Sequence, residues 1–101
     1  MAQLYWVTFR IADQGNWKRR YEAVQEAVKE LTLGKWWTDP TSFIVFQSDQ
    51  TIDTIASHVR TALDPDTDIA VVGMPNVKSA RVVGNVEDDD LFQLWDWIRP
   101  I

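Results

Sequence analysis

Gly34-Lys35-Trp36-Trp37-Thr38-Asp39-Pro40-Thr41-Ser42-Phe43-Ile44-Val45-Phe46-Gln47 reads as a hairpin at the centre of the chain. Gly34 can end a helix in the left-handed conformation, Trp36-Trp37 is a short aromatic strand, Asp39-Pro40 forms a turn, and Phe43 to Phe46 has the length and composition of a buried strand. Two consecutive tryptophans in a strand point to opposite sides, so at most one of them reaches the core. Phe43 to Phe46 is apolar at both alternations, which predicts a sheet covered on both faces.

Outward from the hairpin, amphipathic helices are predicted on each side. Upstream, Asn16 is the expected cap, and Trp17, Tyr21, Val24, Val28 and Leu31 recur at helical spacing, with Trp17 expected in the core. Burial of each such side chain contributes about 1.5–3 kcal/mol before ordering entropy is subtracted. Downstream, a helix beginning near Ser48 or Asp49 carries Ile52, Ile55, Ala56, Val59 and Leu63 on one stripe and stops at Asp64-Pro65-Asp66. Leu4 to Ile11 is the first strand, with Tyr5, Val7, Phe9 and Ile11 on one face and Leu4, Trp6, Thr8 and Arg10 on the other. Asp68 to Met74 is a further strand, Val77 to Val83 a fifth, and Glu87 to Ile98 a third helix with Leu91, Leu94, Trp95 and Ile98 on one face.

This order predicts an α+β fold: a single ferredoxin-like βαββαβ domain over residues 1–101, with an added C-terminal strand and helix from about residue 76. Such a sheet leaves one face without helices. Because that face carries Leu4, Trp6 and one alternation of Phe43 to Phe46, a homodimer is expected, with Trp6, Phe92, Trp95 and Trp97 as interface candidates. Trp95 and Trp97 fit either dimer packing or packing of the tail.

Composition narrows the functional classes. A chain of 101 residues with 46% hydrophobic and 25% charged residues has the makeup of one globular domain. With no cysteine and one histidine, thiolate chemistry and Cys- or His-rich metal centres are excluded. The start of the chain lacks the pattern of a secretory leader, and no apolar run approaches the roughly 18 residues needed to span a bilayer. A cytoplasmic address, no membrane partner and no cofactor are therefore expected. The net charge of −5 disfavours non-specific nucleic-acid binding, although a local basic patch remains compatible with it.

The strand from Tyr5 to Phe9, Gly34-Lys35-Trp36-Trp37, the Pro40 turn, Ser42-Phe43-Ile44-Val45 and a helix after Ser48 together resemble the SinR-like branch of the small CRISPR adaptation subunit superfamily, over roughly residues 4 to 73. The resemblance implies a ferredoxin-like homodimer and either a metal-dependent nuclease or a nucleic-acid-binding scaffold. The nuclease of that family needs an aspartate at the end of the first strand, where this chain has Arg10. A guanidinium there repels a hard cation that seeks carboxylate oxygens, so Asp13 in the next loop is the one weak catalytic candidate and no metal site is expected.

Lys18-Arg19-Arg20 is the only run of positive charge and falls in the first turn of a helix, where the macrodipole disfavours cations. With Arg10 it forms a candidate phosphate or nucleic-acid contact; the alternative is a solvated helix end with Lys18 facing Glu22. Glu87-Asp88-Asp89-Asp90 suits a helix start better than a calcium loop. His58 is a boundary residue with no acid and nucleophile partner in sequence. The leading expectation is a non-catalytic, dimeric assembly or binding element, with a metal-dependent nuclease or a phosphate or nucleic-acid binder as the alternatives.

Overall fold

The computed structural model describes residues 2–101 as a mixed α+β structure built on one six-stranded sheet. The strands are β1 (Gln3–Arg10), β2 (Trp36–Trp37), β3 (Phe43–Ser48), β4 (Ile69–Gly73), β5 (Ala80–Gly84) and β6 (Ile98–Pro100), and the helices are α1 (Trp17–Leu31), α2 (Ile52–Ala62) and α3 (Asp90–Leu94). Their order across the sheet is β2-β3-β1-β4-β5-β6, antiparallel throughout except for the parallel pair β5 and β6. Helix α1 links β1 to β2 past β3, and α2 links β3 to β4 past β1.

The alternation in β1 decides which face is which. Tyr5, Val7 and Phe9 are buried, and so are Ile44 and Phe46 opposite them on β3 and Ala70 and Val72 on β4. These pack against Val24 and Val28 of α1 and Ile52, Ile55, Ala56 and Val59 of α2, with Leu63 beyond its end. Tyr5 also donates a 2.7 Å hydrogen bond to the Gln50 carbonyl. Burial raises the Tyr5 phenol above its ordinary value. As pH rises past about 10 the unfolded chain releases this proton first, so the stability it contributes is full below that pH and is lost as pH climbs toward the folded value. Tyr5→Phe is expected to cost about 1 kcal/mol at neutral pH through the lost hydrogen bond and to flatten the alkaline decline. Urea midpoints measured from pH 8 to 11 check this, and identical alkaline profiles for both proteins would refute it.

Several boundaries differ from the sequence expectation. Helix α1 ends at Leu31, before Gly34, because the Thr32 hydroxyl donates to the Val28 carbonyl and the Leu33 amide donates to Gln47 O of β3. Gly34, at φ 79°, then turns the chain into β2. Helix α2 starts at Ile52 and not near Ser48: Ser48 is a buried strand residue whose hydroxyl accepts from the Gln50 amide, and Thr51 is the cap that accepts from Thr54 N. Strand β5 begins at Ala80, leaving Val77 half exposed in the preceding turn.

The largest correction concerns the tail. The expected helix from Glu87 to Ile98 is five residues long, Leu94 on its supposed apolar face is 87% exposed, and Ile98 instead opens β6. So short a helix is marginal by itself, whereas Ile98 in a strand is fully buried against Ala80 and Val82. Ile101 N, which donates to Val82 O, carries the pairing past β6. The C-terminal addition is therefore two strands with a short helix between them.

Candidate functional site

The side chain at the centre of the connecting loops is Asp68, fully buried just before β4. Its Oδ1 accepts from Ala12 N at 2.8 Å and from the Thr67 hydroxyl, while Oδ2 accepts from Asp64 N at 2.8 Å and from Arg20 Nε at 3.1 Å. The rest of the Arg20 guanidinium donates to Ala12 O, Gln14 O and Asn16 Oδ1. Arg20 is thus a structural cation. Its candidacy as an anion contact is corrected: its donors are directed at the chain's own oxygens, and they hold the loop from Ala12 to Asn16 in one shape.

That loop borders a cleft of about 360 Å³ at the end of β1, lined by Phe9, Arg10, Ile11, Asp13, Trp17, Tyr21 and Ser42. Phe9 and Tyr21 pack with ring centroids 5.4 Å apart, and the Tyr21 phenol donates to the Thr41 carbonyl, tying α1 to the loop before β3. Trp17 lies between this cleft and a shallower hollow bordered by Gly15, Asn16, Lys18, Arg19 and Glu22. Trp17 is 44% exposed, which corrects its expected place in the core. As the first residue of α1 it lies beside the end of β1, where it borders the cleft with Phe9 and Arg10.

The structure therefore brings Arg10 and Asp13 together in one cleft and places Lys18 and Arg19 beside it. The donor set does not suit a divalent cation, since Asp13 is the one carboxylate lining the cleft and Arg10 stands with it. Asp88, Asp89 and Asp90 have carboxylates close together, all exposed, and Asp88 Oδ1 accepts from Asp90 N as residues at a helix start do. His58 Nε2 lies 3.2 Å from Glu30 Oε1, bridging α2 to α1 at the surface.

The face of the sheet away from α1 and α2 is the second notable surface. Its β4–β6 half is covered by the chain itself: Ala80, Val82 and Ile98 are buried beneath Val86, Leu91, Phe92, Trp95 and Trp97. Trp6 lies across Gly73, where a Cβ would come within 2.3 Å of the indole. It stacks on Phe43 at 6.1 Å and on Trp95 at 6.3 Å. Trp97 meets Trp95 edge-on at 5.1 Å, and Trp37 meets Phe43 edge-on at 6.4 Å. The result is a row of five aromatic rings, Trp37, Phe43, Trp6, Trp95 and Trp97, running across the strands. Of the interface candidates, Phe92, Trp95 and Trp97 pack within the chain as a tail, and Trp6 is the ring they reach. The uncovered end of the row is at Trp37, 48% exposed, a residue the interface expectation did not include.

Among the described residues no helix is long and apolar enough to cross a membrane. Comparison with protein-family models, with curated proteins and with solved structures gave no match for this chain.

Proposed function

We propose that the protein is a ferredoxin-like homodimer that acts as a non-catalytic assembly or binding element, with a second copy seated on the uncovered end of the aromatic row. The ferredoxin-like reading is supported by the segment β2-β3-β1-β4, in which each crossover helix skips one strand, with β5, α3 and β6 as additions to it. The paired tryptophans Trp36 and Trp37 and this strand order are also what supports kinship with the SinR-like group. The observation that carries the assembly reading is the row itself, which continues past the self-covered half onto Trp37 and Phe43.

A second copy suits this patch better than a charged partner. The centre of the patch, Leu4, Trp6, Thr8, Trp37, Phe43, Val45 and Gln47, is uncharged by sequence and register, with Lys35 beside Trp37 at its margin and Arg10 at the far end of the same β1 face. A two-fold contact sets the same patch against itself, and a chain of net charge −5 approaches its copy most readily through a patch with no acidic side chain among these residues. Light scattering at micromolar concentration is expected to give twice the 11.7 kDa chain mass for the native protein and a monomer for the half-exposed Trp37→Glu variant, with circular dichroism showing that the variant is folded. A native protein that scatters as a monomer, or a Trp37→Glu variant that stays dimeric, would overturn the proposed contact.

A further inference from the structure

We infer that the cleft around Trp17 binds a nucleoside phosphate, with the base stacked on the indole and the phosphate held by Arg10 and Arg19 with Lys18. This site is separate from the aromatic row and does not depend on the proposed self-association.

The use of arginine across the molecule points to it. Of the six arginines in the chain, four direct their guanidinium groups at the protein's own oxygens: Arg20 at Asp68, Arg60 at Ile101 O, Arg81 at Asp53 and Arg99 at Asp96 O. Among the described residues, Arg10 and Arg19 make no such hydrogen bond or ion pair, and they line the hollows on either side of Trp17. Arginine suits phosphate because its planar fork meets two oxygens at once. Lys18, in the same hollow as Arg19, adds a third cation, so that the cations exceed the two acids that line these hollows, Asp13 and Glu22.

The walls favour an aromatic ligand over a bare anion. Trp17, Tyr21 and Phe9 line one cleft, and its volume of about 360 Å³ lies within the range of small-molecule pockets. An exposed indole flanked by cations is the arrangement on which bases stack in sequence-tolerant nucleic-acid binding. Asp13, at the edge of the cleft, can accept from an exocyclic amine or a ribose hydroxyl. The loop that supplies Asp13 is held in place, because Arg20 fixes Ala12, Gln14 and Asn16 around it. The Asn16 side chain accepts from Arg20 and does not cap α1, and Asn16 borders the same hollow as Arg19.

The same chemistry occurs in a free nucleotide and in a single strand of nucleic acid. The test titrates the native protein with adenosine monophosphate, inorganic phosphate and a labelled oligothymidylate of about ten nucleotides, followed by calorimetry and fluorescence anisotropy. Binding of the nucleotide or the oligonucleotide is expected to exceed that of phosphate at least tenfold and to weaken as salt rises from about 50 to about 300 mM. Trp17→Ala and the double variant Arg10→Gln/Arg19→Gln are each expected to lose about tenfold or more in affinity. Lys78→Gln, in the exposed β4–β5 turn, is expected to lose nothing. An oligonucleotide binding at least about tenfold tighter than the mononucleotide would identify a strand as the source, and equal affinities would identify a free nucleotide. No binding of any probe at millimolar concentration, phosphate binding as tightly as nucleotide, or undiminished binding by the Trp17 and arginine variants would overturn the site. Circular dichroism of each variant separates lost binding from lost fold.

Discussion

Gly84→Ala is expected to destabilise the protein by about 3 kcal/mol or more, lowering the melting temperature by roughly 10–20 °C for a chain of this size. Two independent effects add at this position. Gly84 has φ 98°, a region that a side-chain-bearing residue adopts only under strain. An added Cβ would also fall 2.2 Å from the backbone oxygen of Asp68. That oxygen cannot move aside, because it accepts the Asn85 amide at 2.8 Å and belongs to the residue whose carboxylate holds the loops. Thermal unfolding followed by circular dichroism measures the shift. A Gly84→Ala protein melting within a few degrees of the native one would show that the corner yields more than its geometry allows. Gly34 provides the contrast: it also has positive φ, but nothing stands within 4 Å of its added Cβ, so Gly34→Ala bears the conformational cost alone.

Asp68→Ala is expected to cost about 3–5 kcal/mol, the penalty for breaking a buried charge pair by removing one partner. The substitution leaves Ala12 N, Asp64 N and Arg20 Nε without their acceptor in a region where Asp68 itself is fully buried. Urea unfolding with linear extrapolation reads the loss directly. Arg20→Met is also expected to destabilise, and the double variant should cost less than the sum of the two, since the two side chains act as one network. A loss under about 1 kcal/mol for Asp68→Ala would mean that water replaces the carboxylate without cost, and the loops would then be held by something else. If the loss is as large as expected, the same variant also loosens the loop that borders the Trp17 cleft, because the network reaches Ala12, Gln14 and Asn16.

Much of the architecture was readable from local pattern, and what was missed depended on distant partners. Tyr5, Val7 and Phe9 alternate as a half-buried strand must, and the stripe from Ile52 to Val59 repeats as a buried helix face must; both are as expected. In the tail, Leu91, Leu94, Trp95 and Ile98 fit a helical period that the structure keeps only from Asp90 to Leu94. What overrides that period is the contact of Ile98 with Ala80 and Val82, which no local pattern encodes. Trp17 fits the first turn of an apolar stripe, yet it borders the open cleft at the end of β1 and stays 44% exposed.

The candidate site divides in the same way. Arg10, Asp13, Lys18 and Arg19 stood out by charge, and they do gather at one end of β1. Arg20 was indistinguishable from its neighbours in sequence, because its role is set by an acid 48 residues away. Asp68 reads in sequence as the first residue of the strand Asp68 to Met74, with nothing that marks it as a buried acceptor. A signal was present in the run Asp64-Pro65-Asp66-Thr67-Asp68, whose last acid directly precedes an apolar strand and is therefore the one most readily drawn inside. Trp37 and the aromatic row could not be foreseen from sequence, since a row across strands exists only once register is fixed.

The two outer strands of the sheet set the geometry of any larger assembly. Strand β2 is two residues long, too short a template for a neighbouring strand. Strand β6 is three residues long and contains Pro100, which has no amide hydrogen to give. Growth of the sheet from edge to edge, the route to open-ended fibres, is thus blunted at both margins. Association through the aromatic face is limited by the tail, which leaves one end of the row free. On the proposed contact, one free patch per chain predicts a closed pair and no further growth.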